Sequence, residues 1–183
     1  NRPQQQAITC IDQPCLVLAG AGSGKTRVIT HKIAHLIHEA GYQPSTVRAL
    51  TFTNKAAREM KQRTTALLGK KYAKNLDIST FHTLGLRILQ TEYPTLGYRK
   101  GFSIMDSRDV ASCLNELTLP ADREDSTFIK QTMYQISRWK NEFIAADEAQ
   151  ANSQSPLEAT QAKVYQDYQQ HLLACNSMDF DDL

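Results

Sequence analysis

Apolar positions change their period twice along this chain. Residues 15–19 are a short unbroken apolar run, which predicts a buried strand. Ile29, Ile33, Leu36, Ile37 and Ala40 then recur three and four apart, predicting a helix over 25–40 that Gly41 ends. Residues 47–52 read as a second strand. Ala56, Met60, Leu67 and Leu68 mark the inner face of a helix over 55–68, stopped by Gly69. Residues 76–79 read as a third strand, followed by a helical segment that reaches Tyr93 and breaks at Pro94. Strands that alternate with helices predict a parallel sheet covered by helices, with ligands at the carboxyl ends of its strands.

From about residue 88 the period is helical only. Asp106 is placed to cap a helix carrying Val110, Leu114 and Leu117. Ser126 is placed to cap another carrying Ile129, Met133, Ile136 and Phe143. Ser155-Pro156-Leu157-Glu158 is a full start signal, with a cap, a proline at the first helical position and a reciprocal glutamate. That helix runs on through Val164, Tyr168 and Leu172.

Composition adds exclusions. The 183 residues are 41% hydrophobic, enough for a buried core and too apolar for disorder. No apolar stretch approaches a membrane span, and no signal peptide opens the chain, so the expected compartment is the cytoplasm. A start at Asn1 rather than Met leads to the expectation of a trimmed terminus. Cys10, Cys15, Cys113 and Cys175 make no C-x-x-C pair and read as reduced, mostly buried thiols. The net charge of +2 conceals an asymmetry, with residues 1–101 strongly basic and 102–183 strongly acidic. Arg48, Lys55, Arg58, Lys61, Arg63, Lys70, Lys71 and Lys74 cluster with Glu59 as the only acid among them. Such a block attracts polyanions, or is a solvated helix face.

The sharpest chemistry follows the first predicted strand. Ala19-Gly20-Ala21-Gly22-Ser23-Gly24-Lys25-Thr26 joins a strand to a helix. Glycines let successive N–H groups face phosphate oxygens, and the helix start adds its positive end. Lys25 suits the β- and γ-phosphates of ATP, and the Thr26 hydroxyl suits Mg²⁺. The usual phosphate-loop pattern opens on glycine, where this chain has Ala19.

Other segments keep two readings each. Phe52 is a base-stacking group beside Thr53, Asn54 and Lys55, or a core residue before a helix cap. Thr80, Phe81 and His82 repeat that layout. His31, His35 and His38 share a helix face without an obvious further ligand, which favours a structural role over a metal site. Gln4 is an adenine reader or part of a polar helix start. Trp139 is a base platform or, as for most lone tryptophans on amphipathic helices, core. Asp179, Asp181 and Asp182 suit a metal or, better, a helix start.

Together these segments resemble the superfamily-one DNA helicases of the UvrD/PcrA/Rep type. The resemblance is carried by Asn1-Arg2-Pro3-Gln4-Gln5-Gln6-Ala7-Ile8, by Leu18 through Val28, by Leu50-Thr51-Phe52-Thr53-Asn54-Lys55-Ala56-Ala57-Arg58-Glu59-Met60, and by Ser79-Thr80-Phe81-His82-Thr83-Leu84-Gly85-Leu86. The tail 178–183 also fits, and stretches 80–89, 136–143 and 174–183 are most similar to the Rep branch. An alanine at position 19 is that family's habit. The resemblance implies a RecA-like P-loop NTPase: a parallel sheet with helices on both faces, plus an inserted all-helical subdomain. It implies motor domain 1A over 1–87, subdomain 1B over 88–177 and a return toward 1A over 178–183. It implies ATP and Mg²⁺ as cofactors, with Gln4 reading adenine, Arg27 helping to hold the nucleotide, and Ala19 through Thr26 cradling phosphates. It implies single-stranded DNA and a DNA fork as partners, gripped by Phe52, Thr53, Asn54, Lys55, Thr80, Phe81 and His82.

The expected activity is ATP-driven 3′→5′ translocation and duplex unwinding. The family's acids for Mg²⁺ and water, and its arginine fingers, lie beyond this stretch, so the piece alone is expected to turn ATP over poorly. Two rivals stand beside this reading. One is a small-metabolite kinase, which would want a lid with paired arginines. The other is a nucleic-acid-binding module with a vestigial phosphate loop.

Overall fold

A computed structural model describes residues 1–118 and 126–183, and the side chain of Ser126, with its expected capping role, lies outside the described part. The chain divides into two compact units, 1–84 and 85–183. Sequence periodicity set the corresponding change at residue 88.

In the first unit, helix α1 (Arg2–Thr9) is followed by a loop, helix α2 (Lys25–His38), strand β1 (Arg48–Thr51), helices α3 (Asn54–Leu68) and α4 (Lys70–Ala73), and strand β2 (Asp77–Thr80). β1 and β2 pair in parallel, with Arg48 opposite Asp77 and Thr51 opposite Thr80. A parallel pair needs a long crossover, and α3 and α4 supply it. Ile33 and Ile37 of α2, Met60 and Leu68 of α3, and Val47, Ala49 and Leu76 close one core. The unit is therefore α/β, with a small parallel sheet. α5 (Phe81–Glu92) starts directly from β2.

Three expectations fail here. Residues 15–19 form no strand, and Leu16 and Leu18 are 86% and 87% exposed. A strand exists only by its ladder, and no described strand pairs with this run. Ile29 and Leu67 are exposed, at the margins of their stripes, and Ala57 rather than Ala56 is buried. Of the four free cysteines only Cys113 is buried, where burial first and then Glu116 push its thiol up to about 11.

The second unit is mainly helical: α6 (Ser107–Leu117), α7 (Ser126–Asn141), α8 (Ala146–Ala151) and α9 (Pro156–Ala174). Short strands β3 (Ser103–Ile104) and β4 (Ser177–Met178) pair in parallel. Leu114, Ile136, Ala162, Tyr168 and Leu172 lie at the centre of its core. Trp139 belongs to that core, stacked on Tyr165 at 5.7 Å, which excludes the base-platform reading. Phe143 does not belong to it. α7 ends at Asn141, and Phe143 has φ 59° and is 94% exposed. Apolar spacing continued past the point where the backbone stopped being helical.

The caps follow the sequence closely. Asp106 accepts from the amides of Arg108 and Asp109, and Asp109 returns a carboxylate to the Asp106 amide. Ser155 accepts from the Glu158 amide, while the Glu158 carboxylate reaches Gln154 rather than the cap itself. Replacing Asp106 with alanine is expected to cost about 1 kcal/mol, read as a lower denaturant midpoint at unchanged slope.

Candidate functional site

The loop between residue 19 and α2 turns on two glycines. Gly22 and Gly24 have φ 75° and 87°, which side chains with a Cβ adopt only under strain. Gly24 occupies the cap position of α2 and supplies no side-chain acceptor. The first amides of α2, at Lys25, Thr26 and Arg27, are thus left for an outside anion.

Lys25 closes the loop. Its Nζ donates to the carbonyls of Ala19 and Gly20, at 2.8 and 2.9 Å. Ser23 adds a hydroxyl bond to the Gly20 carbonyl at 2.7 Å. Ala21 and Ser23 are exposed, and Thr26 is half-buried on the first turn of α2.

Gln4 takes part in the helix start and also reaches the glycine turn. Asn1 caps α1 by accepting from the Gln4 amide, and Gln4 completes that capping box. The Gln4 Nε2 also donates to the Ser23 carbonyl at 3.0 Å, which ties α1 to the phosphate loop. Beside it, Asn1, Gln4, Gln5, Ile8, Arg27, Val28 and His31 line an open cavity of about 430 Å³. Gln4 and Arg27 therefore share one hollow next to the glycine turn. That hollow, with one amide side chain, one cation and apolar walls from Ile8 and Val28, fits a base and sugar adjoining a phosphate cradle.

The ends of β1 and β2 carry the second constellation. Phe52 is 87% exposed, which excludes the core reading. It lies 5.5 Å from Phe81, itself 51% exposed, in a tilted pair. Thr53 caps α3 by accepting from the Ala56 amide. Asn54 and Lys55 are exposed on its first turn, and His82 is exposed at the start of α5. Thr80 differs from its expected surface role. It is buried, and its hydroxyl accepts from the Thr83 amide and meets the Thr83 hydroxyl at 2.9 Å. It orders the turn that presents Phe81 and His82.

Among the described residues no group of three or more His, Cys, Asp or Glu side chains is arranged so that it could hold a metal ion, the histidine face included. His38 instead packs edge-on against Tyr72 at 5.5 Å. The acidic tail is a cap. Asp179 accepts from the amides of Asp181 and Asp182 at the start of a 3₁₀ turn, Phe180–Asp182.

Sequence reasoning missed the partner of those acids. Lys140 Nζ lies 2.7 Å from both Asp179 Oδ2 and Asp182 Oδ1, with its side chain only 4% exposed. Tyr168 donates to Asp179 at 2.9 Å, and Asn141 donates to Asp181 at 3.1 Å. Burial raises the Asp179 carboxyl, but Lys140 and the donated bonds outweigh it and hold it below the usual range. Burial together with Asp179 keeps Asp182 above that range despite Lys140. Burial, then Asp179, raise the Tyr168 hydroxyl strongly. The only sequence signal was a lysine near the end of an amphipathic helix, some 40 residues upstream.

A parallel strand pair, a glycine turn at a helix start and a hollow beside Gln4 and Arg27 define a P-loop nucleotide-binding α/β domain. The model of the UvrD/REP helicase N-terminal domain family matches residues 1–183, and the chain belongs to that family. It is 51% identical over all 183 residues to the ATP-dependent DNA helicase Rep of Escherichia coli strain K12, of which it spans 27%. It is 42% identical over 187 aligned residues to the ATP-dependent DNA helicase PcrA of Bacillus subtilis strain 168, of which it spans 25%. A probable DNA helicase II homolog of Mycoplasma capricolum is 43% identical over 188 aligned residues. The chain thus spans about a quarter of the length of these relatives. Among the described residues no helix is long and apolar enough to cross a membrane.

Proposed function

We propose that this chain is the nucleotide-binding amino-terminal part of an ATP-dependent 3′→5′ single-stranded DNA translocase and helicase. One observation carries the DNA side of that reading. Phe52, which an ordinary α/β sheet would bury, stands exposed beside Phe81 at the strand ends of the unit that holds the phosphate loop. Paired exposed aromatics next to the start of a cationic helix suit stacked bases and a phosphate chain. Relatives named as ATP-dependent DNA helicases support the reading, and none of those cited is named a small-metabolite kinase.

In this reading Gln4 orients the adenine edge, Arg27 holds the nucleotide beside it, and the amides of residues 20–26 cradle phosphate. Lys25 leaves the carbonyls of Ala19 and Gly20 and turns its charge to the β- and γ-phosphates. The Thr26 hydroxyl would hold Mg²⁺, which would supply charge neutralisation for phosphoryl transfer. Phe52 and Phe81 hold bases, while Asn54, Lys55 and His82 hold backbone, with Thr53 and Thr80 fixing the two turns. The wider RecA-like sheet with helices on both faces, a 1B assignment for 88–177, and the DNA fork as substrate belong to the same proposal. So does work in the cytoplasm, on the nucleoid.

Adding single-stranded DNA to the full-length protein is expected to raise ATP hydrolysis many-fold. A rate indifferent to DNA would remove the helicase reading and leave the kinase. Phe52→Ala is expected to weaken single-strand binding by about 1–3 kcal/mol, or about five- to 150-fold. Fluorescence anisotropy of a labelled oligonucleotide without nucleotide measures it directly, and unchanged affinity would remove Phe52 from the site.

A further inference from the structure

The first unit carries more exposed cations than the two gripping turns use. Lys55, Arg58 and Lys61 are all exposed on α3 and stand three residues apart. That spacing places them as successive members of one row winding from the first turn of the helix. The row rises about 9 Å along the helix axis. It begins at the residue that follows Phe52, Thr53 and Asn54, so it continues directly from the aromatic pair.

The other cations of the basic block differ in their surroundings. Arg48 is bridged to Asp77 at 3.7 Å, and Arg63 to Glu59 at 3.8 Å. Glu59, the one acid on α3, pairs with Arg63 rather than with a member of the row. Lys71 lies over the Tyr72 ring at 5.9 Å. Lys70 and Lys74 come after Gly69, whose φ of 79° breaks the helix. None of Lys55, Arg58 and Lys61 has a carboxylate within ion-pair distance among the described residues.

We propose that Lys55, Arg58 and Lys61 form a phosphate track along α3, which carries the DNA backbone onward from the Phe52–Phe81 pair. This inference rests on the DNA reading above and adds to it the path of the strand. Charge complementarity names the occupant: an unopposed cation row that starts at a base-stacking pair fits a sugar–phosphate chain. The track is sequence-blind, because it offers no group to a base edge.

Salt dependence of binding tests it. The double variant Arg58→Ala/Lys61→Ala, in the full-length protein, is titrated with a labelled oligothymidylate across a salt series. Each phosphate that goes without its cation makes the log–log slope shallower by about 0.7 on a single strand. The track predicts a slope shallower by about 1.4 in this variant, and an unchanged slope in Lys70→Ala/Lys74→Ala. Equal changes in both variants would overturn it in favour of diffuse charge. No change in either would overturn it in favour of a solvated helix face. All four side chains are exposed, so matching thermal melts establish that both variants fold. Failure of the DNA reading is distinguishable: the unaltered protein would then show no measurable binding of oligothymidylate at any salt concentration in the series, and Phe52→Ala would change nothing.

Discussion

Lys25→Ala is expected to cut DNA-stimulated ATP hydrolysis by about 10²–10³ or more, while nucleotide-free DNA affinity stays within a factor of about two. Two effects add. The ammonium is the one side-chain cation on the phosphate loop itself, so its removal leaves the γ-phosphoryl charge to the helix start and the backbone amides. The same Nζ bonds to the carbonyls of Ala19 and Gly20, so its removal also frees the loop that Gly22 and Gly24 allow to turn. Phe52 and Phe81 sit on other turns, which is why DNA affinity is spared. Phosphate release with saturating single-stranded DNA measures the first quantity, and anisotropy the second. Hydrolysis within a few-fold of the unaltered protein would remove Lys25 from the chemistry. Abolished DNA binding with hydrolysis intact would reverse the assignment of the two sites.

What could be read from the sequence was what is local. Loop, helix start and caps depend on residues within four positions of one another, and Gly24, Asp106 and Ser155 all act where their spacing places them. Apolar spacing also found both cores and the burial of Trp139. What failed was what depends on partners far along the chain. The run 15–19 has strand composition, but pairing is not a property of the run itself. Phe52 reads as core by type, and only the folded sheet end shows it exposed. Phe143 kept a helical period after α7 had ended, because side-chain spacing carries no information about a φ of 59°. Gln4 was legible as a helix-start residue, yet its bond to Ser23 spans 19 positions.

The acidic tail is the clearest case of that limit, and it yields the largest stability effect. Lys140→Met is expected to destabilise the second unit by about 3–5 kcal/mol, measured by chemical denaturation. The methionine fills similar volume beside the Tyr168 ring, so packing is largely kept. The cation between Asp179 and Asp182 is removed, and their side chains are only 7% and 21% exposed. Two buried carboxylates would then face each other, with the Tyr168 hydroxyl as a remaining donor.

The sign of the pH dependence follows. In the unaltered protein Asp179 lies below its ordinary value, so its contribution is present at neutral pH and lost as pH falls through its folded value. Asp182 lies above its ordinary value, so its contribution is fully present below the unfolded pKa and lost as pH rises through the folded one. Without Lys140 both carboxyls move upward and hold protons more tightly folded than unfolded. The variant therefore gains stability as pH falls toward the carboxylate range, and its deficit is widest near neutrality. A deficit equal at mildly acidic and neutral pH would show that Lys140 acts by packing rather than charge. Adding Asp179→Asn and Asp182→Asn to Lys140→Met tests the same point at fixed pH. Asparagine at 179 retains an oxygen for the amides of Asp181 and residue 182, so the turn stays capped while the uncompensated charge is removed. The triple variant is expected to recover about half or more of the stability that Lys140→Met removes, whereas a packing role predicts that the three substitutions accumulate damage.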